Sequence, residues 1–158
     1  MRLGHQHIVH LAGNQNWLDG SVRLEGWREE LLSSGLPVPE PVFGDWTGQS
    51  GYHAGVRMIK EGLPDAVFAA SDLMALGMMR AFSEAGVRVP EDVSVVGFDD
   101  HEFARQFSPP LTTVRQDFKA LGLRCLEVLL SGSDDTHLRE PIRPRLLVRL
   151  STCRKARP

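Results

Sequence analysis

The sequence has few of the features that mark secreted, metal-binding or membrane proteins. Only two cysteines, Cys125 and Cys153, occur in 158 residues, which is too few for a disulfide framework or a zinc cluster. We therefore expect two buried thiols and a cytoplasmic location. No stretch approaches the roughly 20 apolar residues that a membrane helix needs, and the first residues lack the pattern of a secretory signal. Export and membrane association are both disfavoured.

An excess of charge of one sign is also missing. The formal net charge is −2, which offers no bulk attraction for nucleic acid. Arginines are frequent after residue 138, but they are scattered and lack interleaved aromatic residues, which favours a solvated strand and tail. The sequence contains neither a GxSxG elbow nor a phosphate-binding glycine loop. We predict that the protein is not an enzyme and uses no cofactor.

The pattern that is present alternates short apolar runs with amphipathic segments of helix length. With 42% hydrophobic residues, the chain is long enough to bury a core. Apolar runs predict strands at 8–12, 41–44, 66–70, 93–98 and 111–114. Helical spacing predicts helices at 20–34, 49–61, 72–86 and 118–129, with Ser71 or Asp72 as the cap of the third. This order is typical of a three-layer α/β/α fold with a parallel sheet.

The last part of the chain predicts one more strand. Apolar and polar positions alternate there, with Leu146, Val148 and Leu150 set against Arg145, Leu147 and Arg149. Such alternation indicates a strand with one polar, partly exposed face, near an edge of the sheet.

Polar and aromatic residues follow the predicted strands at the points where the strands end. Because ligands bind outside the carboxyl ends of parallel strands, these side chains are expected to converge on one crevice. They are Asp19, Arg23, Asp45, Trp46, Ser71, Asp72, Asp99, Asp100, Arg115, Gln116 and Asp117. A guanidinium group, carboxylates, an amide and an indole suit a neutral ligand rich in hydroxyl groups.

Metal sites are the main alternative reading of these residues. Asp99 and Asp100 could form a metal or phosphoryl-acceptor pair, but adjacent carboxylates at a strand end point in different directions. His5 and His7 would share one strand face and His10 the opposite one, without a nearby carboxylate or thiol. We predict no metal site and regard these histidines as surface residues.

Five segments resemble the lactose-repressor and galactose-repressor family of bacterial regulators. They are GDW at 44–46, AASDLMALG at 69–77, VPEDVSVVGFDD at 89–100, PPLTTV at 109–114 and QDF at 116–118, and RLEGW at 23–27 adds to them. The resemblance extends over essentially the whole chain. It implies a periplasmic-binding-protein-like type I sensor that binds a small effector, commonly a sugar, between two lobes and thereby controls a separate helix-turn-helix headpiece.

The resemblance also implies ligand-binding roles for Arg23, Trp46, Ser71, Asp99, Gln116 and Phe118. By this likeness, Arg23 and Asp99 hydrogen-bond sugar hydroxyls, and Trp46 supplies apolar cover together with Phe118. Gln116 adds a polar contact. Ser71 departs from the family, which usually has an asparagine there. Asp100 is expected to be structural. A dimer contact is implied for the helix that carries Leu76, Met78 and Met79.

The likeness further implies an incomplete lobe arrangement. Residues 1–116 correspond to most of the C-terminal effector-binding lobe, 117–140 to a crossover helix and loop of the partner lobe, and 141–158 to a returning strand and tail. No DNA-binding headpiece is expected within the chain, so operator DNA would be contacted only through a segment outside it.

The sequence therefore predicts the effector-sensing domain of an allosteric repressor, a homodimer whose effector is a sugar, with galactosides among the candidates. A sugar-binding protein for uptake would bind its ligand in the same kind of cleft, although the absent export signal disfavours this alternative. A flavodoxin-like enzyme or a phospho-receiver using Asp99 and Asp100 is a third class.

We expect the chain to form a dimer or a larger assembly. The missing lobe surfaces should leave apolar area exposed around Met78, Met79 and the helix that begins near Phe118. Sedimentation velocity over a range of concentrations measures this, and a compact monomer at high concentration would contradict it.

Overall fold

A computed structural model describes residues 3–131 and 141–155 of the chain. Its strands are β1 (Ile8–Ala12), β2 (Val42–Phe43), β3 (Ala66–Ala69), β4 (Ser94–Phe98), β5 (Thr112–Arg115) and β6 (Arg145–Leu147). They form one sheet in the order β2-β1-β3-β4-β5-β6, in which the first five are parallel and β6 runs antiparallel to β5 at the edge. The predicted α/β class with a parallel sheet is confirmed.

The helices of the described chain are α1 (Leu18–Ser33), α2 (Gly48–Glu61), α3 (Asp72–Glu84) and α4 (Phe118–Ser131). A short 3-10 helix, Glu102–Gln106, follows β4. The hydroxyl of Ser71 accepts a hydrogen bond from the backbone N–H of Met74 at 3.2 Å, so Ser71 is the N-cap of α3. Asp72 is thereby left in the first turn. The predicted elements match these within about three residues.

Glycines bring α2 and α3 into backbone contact. A Cβ on Gly51 would lie 2.0 Å from the carbonyl oxygen of Met74, and one on Gly77 would lie 1.7 Å from that of Gly48. Any larger residue at either position would have to push the helices apart. This contact fixes the start of α3, and with it the strand ends on either side.

The core lies between the sheet and these helices. Its largest fully buried side chains include Leu11, Val67, Met78, Phe82 and Val95. The expectation of exposed area at Met78 and Met79 is wrong, because their exposed fractions are 0% and 6% and both pack into this core. Leu76, on the same helix, is 40% exposed. Of the three residues predicted for a dimer interface, Leu76 alone presents substantial surface.

Helix α4 does expose the predicted apolar area. Phe118 is 61% exposed, and the exposed fraction rises to 84% at Leu130. The prediction of two buried thiols is wrong, because Cys125 on α4 is exposed and Cys153 is partly exposed. The spacing of apolar residues predicted a buried face for this helix, but Leu121 and Val128 on that face are 49% and 45% exposed.

The returning segment has the predicted alternation but the opposite orientation. Leu146, Val148 and Leu150 are 58%, 72% and 65% exposed, whereas Arg149 points inward. The Nη1 of Arg149 donates to the carbonyl oxygen of Leu111 at 2.8 Å, and its other terminal nitrogen pairs with the Asp100 carboxylate. A buried carboxylate therefore decides which face of this segment is turned inward.

His10 is buried, so the prediction that it is a surface residue is wrong. Its exposed fraction is 0%, and its Nδ1 lies 2.8 Å from the carbonyl oxygen of Phe68. The ring stacks on Phe68 with centroids 4.7 Å apart and lies 5.6 Å from the ring of Trp27. His5 is buried as well, with 9% of its surface exposed. Burial lowers the pKa of His10 to about 4, with a further contribution from the Arg23 charge.

This depressed pKa predicts a loss of stability in acid. The unfolded chain takes up a proton on His10 near pH 6.5 and the folded chain only near pH 4. The contribution of neutral His10 to the free energy of unfolding is therefore complete above pH 6.5 and is lost as the pH falls to 4. The loss amounts to about 3 kcal/mol. His10→Asn keeps a donor near the Nδ1 position but cannot take up a proton. The free energy of unfolding of this variant should therefore decline less between pH 7 and pH 4 than that of the unsubstituted chain.

The measurement is urea denaturation at each pH. His7→Asn, which removes an exposed histidine, is the control and should follow the unsubstituted chain. Parallel pH curves for all three proteins would contradict the prediction.

Candidate functional site

Arg23 of α1 lies at the centre of the polar crevice. Its Nη1 donates to the carbonyl oxygen of Ala70 at 2.8 Å, at the end of β3. Its guanidinium carbon lies 3.9 Å from the ring centroid of Phe98, and its Nη2 lies 4.0 Å from Oδ1 of Asp99. The side chain is only 13% exposed. Helix α1 and strands β3 and β4 thus hold one guanidinium group in a fixed place.

Asp99 follows β4 in an unusual backbone conformation. Its φ is 111°, and its N–H donates to the carbonyl oxygen of Val114 at 2.9 Å. Burial raises the pKa of the carboxyl group to about 6; the Arg23 charge opposes this rise, and the carboxylates of Asp72 and Asp19 add to it. Its protonation midpoint therefore lies about one pH unit below neutrality, and each form offers a ligand different hydrogen bonds.

Asp100 points away from the crevice into an ion-pair network. Its side chain is 4% exposed and pairs with Arg115 and Arg149. Burial alone would raise the pKa of Asp100, but the hydrogen bonds and charges of the two arginines outweigh it and hold the pKa below its usual value. These contacts agree with the predicted structural role of Asp100.

Asp72 is a second buried carboxylate behind the crevice. It accepts hydrogen bonds from the Thr113 hydroxyl at 2.6 Å and from the backbone N–H of His101 at 2.8 Å. A Cβ on Gly97 would lie 2.2 Å from its Oδ1. Burial raises the pKa of Asp72, against the two hydrogen bonds. The carboxylate ties α3 to β5 and to the residues just after Asp99.

Trp46 covers the crevice on the side of β1 and β2. A Cβ on Gly13 would lie 2.1 Å from the indole ring, so the ring rests on the backbone that follows β1. The φ of Trp46 is 74°, and the guanidinium carbon of Arg23 lies 5.5 Å from the ring centroid. Asp45 shapes this turn by accepting a hydrogen bond from the N–H of Thr47 at 3.0 Å.

Gln116 and Phe118 lie at a neighbouring pocket of about 290 Å³. The pocket is lined by Phe98, Gln116, Asp117, Phe118, Leu121, Arg124, Pro141, Ile142 and Pro144. It shares Phe98 with the crevice, because that ring also lies against Arg23. The structure thus places Arg23, Trp46 and Asp99 together, Ser71 next to the carbonyl that Arg23 binds, and the other two predicted residues beyond Phe98.

Sequence reasoning missed two aromatic residues of this region. Phe98 is the last residue of β4, and Trp17, which precedes α1, lies 6.3 Å from Trp46 between ring centroids. The available signal was their position in the sequence, since Phe98 directly precedes Asp99 and Trp17 lies two residues before Asp19. Within 3–131 and 141–155, no group of three or more histidine, cysteine or acidic side chains could hold a metal ion.

The arrangement matches a known family. Residues 1–152 match the periplasmic binding protein-like domain family. The chain belongs to that family. Its relatives are regulators: it is 44% identical over 133 residues to the lactose operon repressor of Escherichia coli K12, covering 83% of this chain and 37% of that protein. It is 40% identical over 155 residues to the transcriptional regulator CelR of Thermobifida fusca, covering 94% and 45%.

Solved structures of this periplasmic binding protein-like family agree with the fold. A lac repressor dimer bound to operator and an anti-inducer matches with a TM-score of 0.87 and 37% identity, over 96% of this chain and 54% of that one. A complex of CelR with cellobiose matches with a TM-score of 0.81 and 37% identity, over 95% and 48%. The chain spans about half the length of these relatives. Within the described residues, no helix is long and apolar enough to cross a membrane.

The opposite environments of Asp99 and Asp100 predict opposite effects of the same substitution. Asp99→Asn should raise the free energy of unfolding at pH 7 by about 2 kcal/mol, because it removes a charge whose pKa is raised to about 6. The gain should shrink as the pH falls from 6 to 3.8 and vanish below 3.8, where the carboxyl group of Asp99 is protonated in both the folded and the unfolded chain.

Asp100→Asn should lower the free energy of unfolding by about 2–4 kcal/mol at pH 7, because Arg149 loses its carboxylate while remaining largely buried. Urea denaturation between pH 4 and pH 8 compares the two proteins, each serving as the control for the other. Equal effects of both substitutions would be inconsistent with the assigned roles.

Proposed function

We propose that this chain is the effector-sensing part of a lactose-repressor-type transcription regulator and that its crevice binds a sugar. The observation that carries the proposal is Arg23, which is held at once by a backbone carbonyl, an aromatic ring and the carboxylate of Asp99. The family membership and the relatives that bind operator or cellobiose support it.

The charges of the crevice favour a neutral ligand over an ion. Arg23, which already faces Asp99, opposes a cationic ligand, and the carboxylates of Asp99, Asp72 and Asp19 oppose an anionic one. A guanidinium group and a carboxylate side by side can donate to and accept from neighbouring hydroxyl groups. The ring of Trp46 can cover the C–H face of a sugar.

Ser71 and the second pocket set the specificity in this proposal. The Ser71 hydroxyl accepts the N–H of Met74 as a helix cap, so it can offer a ligand its proton but has less accepting capacity than the asparagine usual in the family. Gln116 and Phe118 would contact the side of the first sugar ring that is nearest Phe98.

The response is proposed to be allosteric. A sugar changes the regulator only if it binds one arrangement of the lobes more tightly than the other. The difference between the two binding free energies sets how far the sugar can change the affinity for DNA. We propose a homodimer that contacts DNA through residues outside this chain, as the matched repressor dimer is bound to operator.

Arg23→Ala should reduce sugar affinity at least tenfold, because it removes the donor that bridges β3 and β4; about 1.4 kcal/mol corresponds to tenfold. Arg23→Lys should also lose affinity, since an ammonium group cannot reproduce the planar fork. Isothermal titration of the full chain with galactosides, glucosides, cellobiose and pentoses provides the measurement.

Glu25→Ala, on the outer face of the same helix, is the control and should bind like the unsubstituted chain. Tight sugar binding that is unchanged in Arg23→Ala would refute the site assignment. A solute-binding protein for uptake would bind sugar similarly, but coding sequence for a helix-turn-helix upstream of this segment distinguishes the regulator.

A further inference from the structure

Trp17 is an exposed aromatic residue at a position where an aromatic side chain does not help the fold. It is the N-cap of α1, in an extended conformation with φ −103° and ψ 134°, and its side chain caps no backbone N–H. Serine, threonine, aspartate or asparagine there would stabilise the helix by about 1 kcal/mol. The indole is nevertheless 61% exposed. A residue that departs from local preference and gains no burial is expected at a functional site.

The backbone that carries Trp17 is firmly held. Its N–H donates to the carbonyl oxygen of Asn14 at 3.2 Å, and the side-chain amide of Gln15 donates to the carbonyl oxygen of Gly13 at 2.7 Å. A Cβ on Gly20 would lie 2.3 Å from the Asn14 oxygen, so α1 packs closely against this turn. The ring is therefore presented on a rigid support, which lowers the entropic cost of binding.

Trp17 continues the row of groups that begins in the crevice. The ring centroids of Trp17 and Trp46 are 6.3 Å apart at 47°, and Trp46 lies 5.5 Å from the guanidinium carbon of Arg23. Asp19 is one turn before Arg23 on the same face of α1, and its charge reaches Asp99. An aromatic ring and a carboxylate thus stand just beyond the groups assigned to the first sugar ring.

We propose that Trp17 and Asp19 form a subsite for a second sugar ring, which makes the preferred effector a disaccharide or longer oligosaccharide. The inference rests on the proposed function. The C–H face of the second ring packs on the indole of Trp17, and its hydroxyl groups donate to the Asp19 carboxylate. Two carboxylates along this row, Asp19 and Asp99, disfavour phosphorylated sugars.

The test compares disaccharides with their component monosaccharides. Saturation-transfer NMR titrations of the full chain would use cellobiose with glucose and lactose with galactose. Trp17→Ala should lower the affinity for at least one disaccharide about tenfold and leave that for the monosaccharides within twofold. Trp17→Phe should retain most of the affinity because it keeps a ring. Leu18→Ala, which shortens a neighbouring side chain that is 78% exposed, is the matched control and should change neither.

Each outcome decides between the two claims. If Trp17→Ala weakens both sugar classes equally, or weakens neither while the unsubstituted chain binds, the second-ring subsite is refuted and the proposed function stands. If the unsubstituted chain binds none of the four sugars, the second-ring subsite is refuted, and the titration with the wider panel of sugars decides the proposed function.

Discussion

The buried carboxylate of Asp72 is the interaction on which the site depends most. It sits in the first turn of α3, accepts hydrogen bonds from Thr113 and from the backbone of His101, and packs directly on Gly97. This carboxylate therefore joins α3 to β4 and β5, close to Asp99 at the end of β4. The capping hydroxyl of Ser71 and the glycine contacts between α2 and α3 hold that turn from the other side. Together with the hydrogen bond from the Asp99 N–H to Val114, these contacts hold the positive-φ backbone after β4 in one conformation.

Two adjacent aspartates show how environment assigns different roles to the same side chain. Asp100 is surrounded by arginines and stays ionised, whereas burial makes ionisation of Asp99 costly and only Arg23 opposes it. The first arrangement stabilises the strand end, and the second destabilises it. In the proposed site, a ligand that supplies hydrogen bonds to Asp99 would offset that cost.

Much of the fold could be predicted because the strands are continuous apolar runs and the helices carry clear stop signals. The predicted bounds of β1, β3 and β4 agree with the observed bounds to within one residue. The inward face of the segment after β6 could not be predicted, because its orientation is decided by Asp100, about 50 residues earlier in the sequence. Likewise, His10 reads as polar, yet a neutral imidazole stacked on Phe68 is compatible with the core. At the site, polar residues were predicted from topology, but Phe98 and Trp17 were missed because aromatic residues also fill cores.

The contact between Arg149 and Asp100 has a consequence for how the protein is made. Asp100 is synthesised before Arg149, so its carboxylate lacks this partner until residue 149 has been added. Ser151, whose hydroxyl donates to the carbonyl oxygen of Val95 at 2.7 Å, is added later still. Strands β1 to β5 can pair while the ribosome is still adding residues, but Asp100, just after β4, gains its ion pair with Arg149 only after residue 149 has emerged. The contacts that hold the end of β4 are therefore completed later than the pairing of the parallel strands.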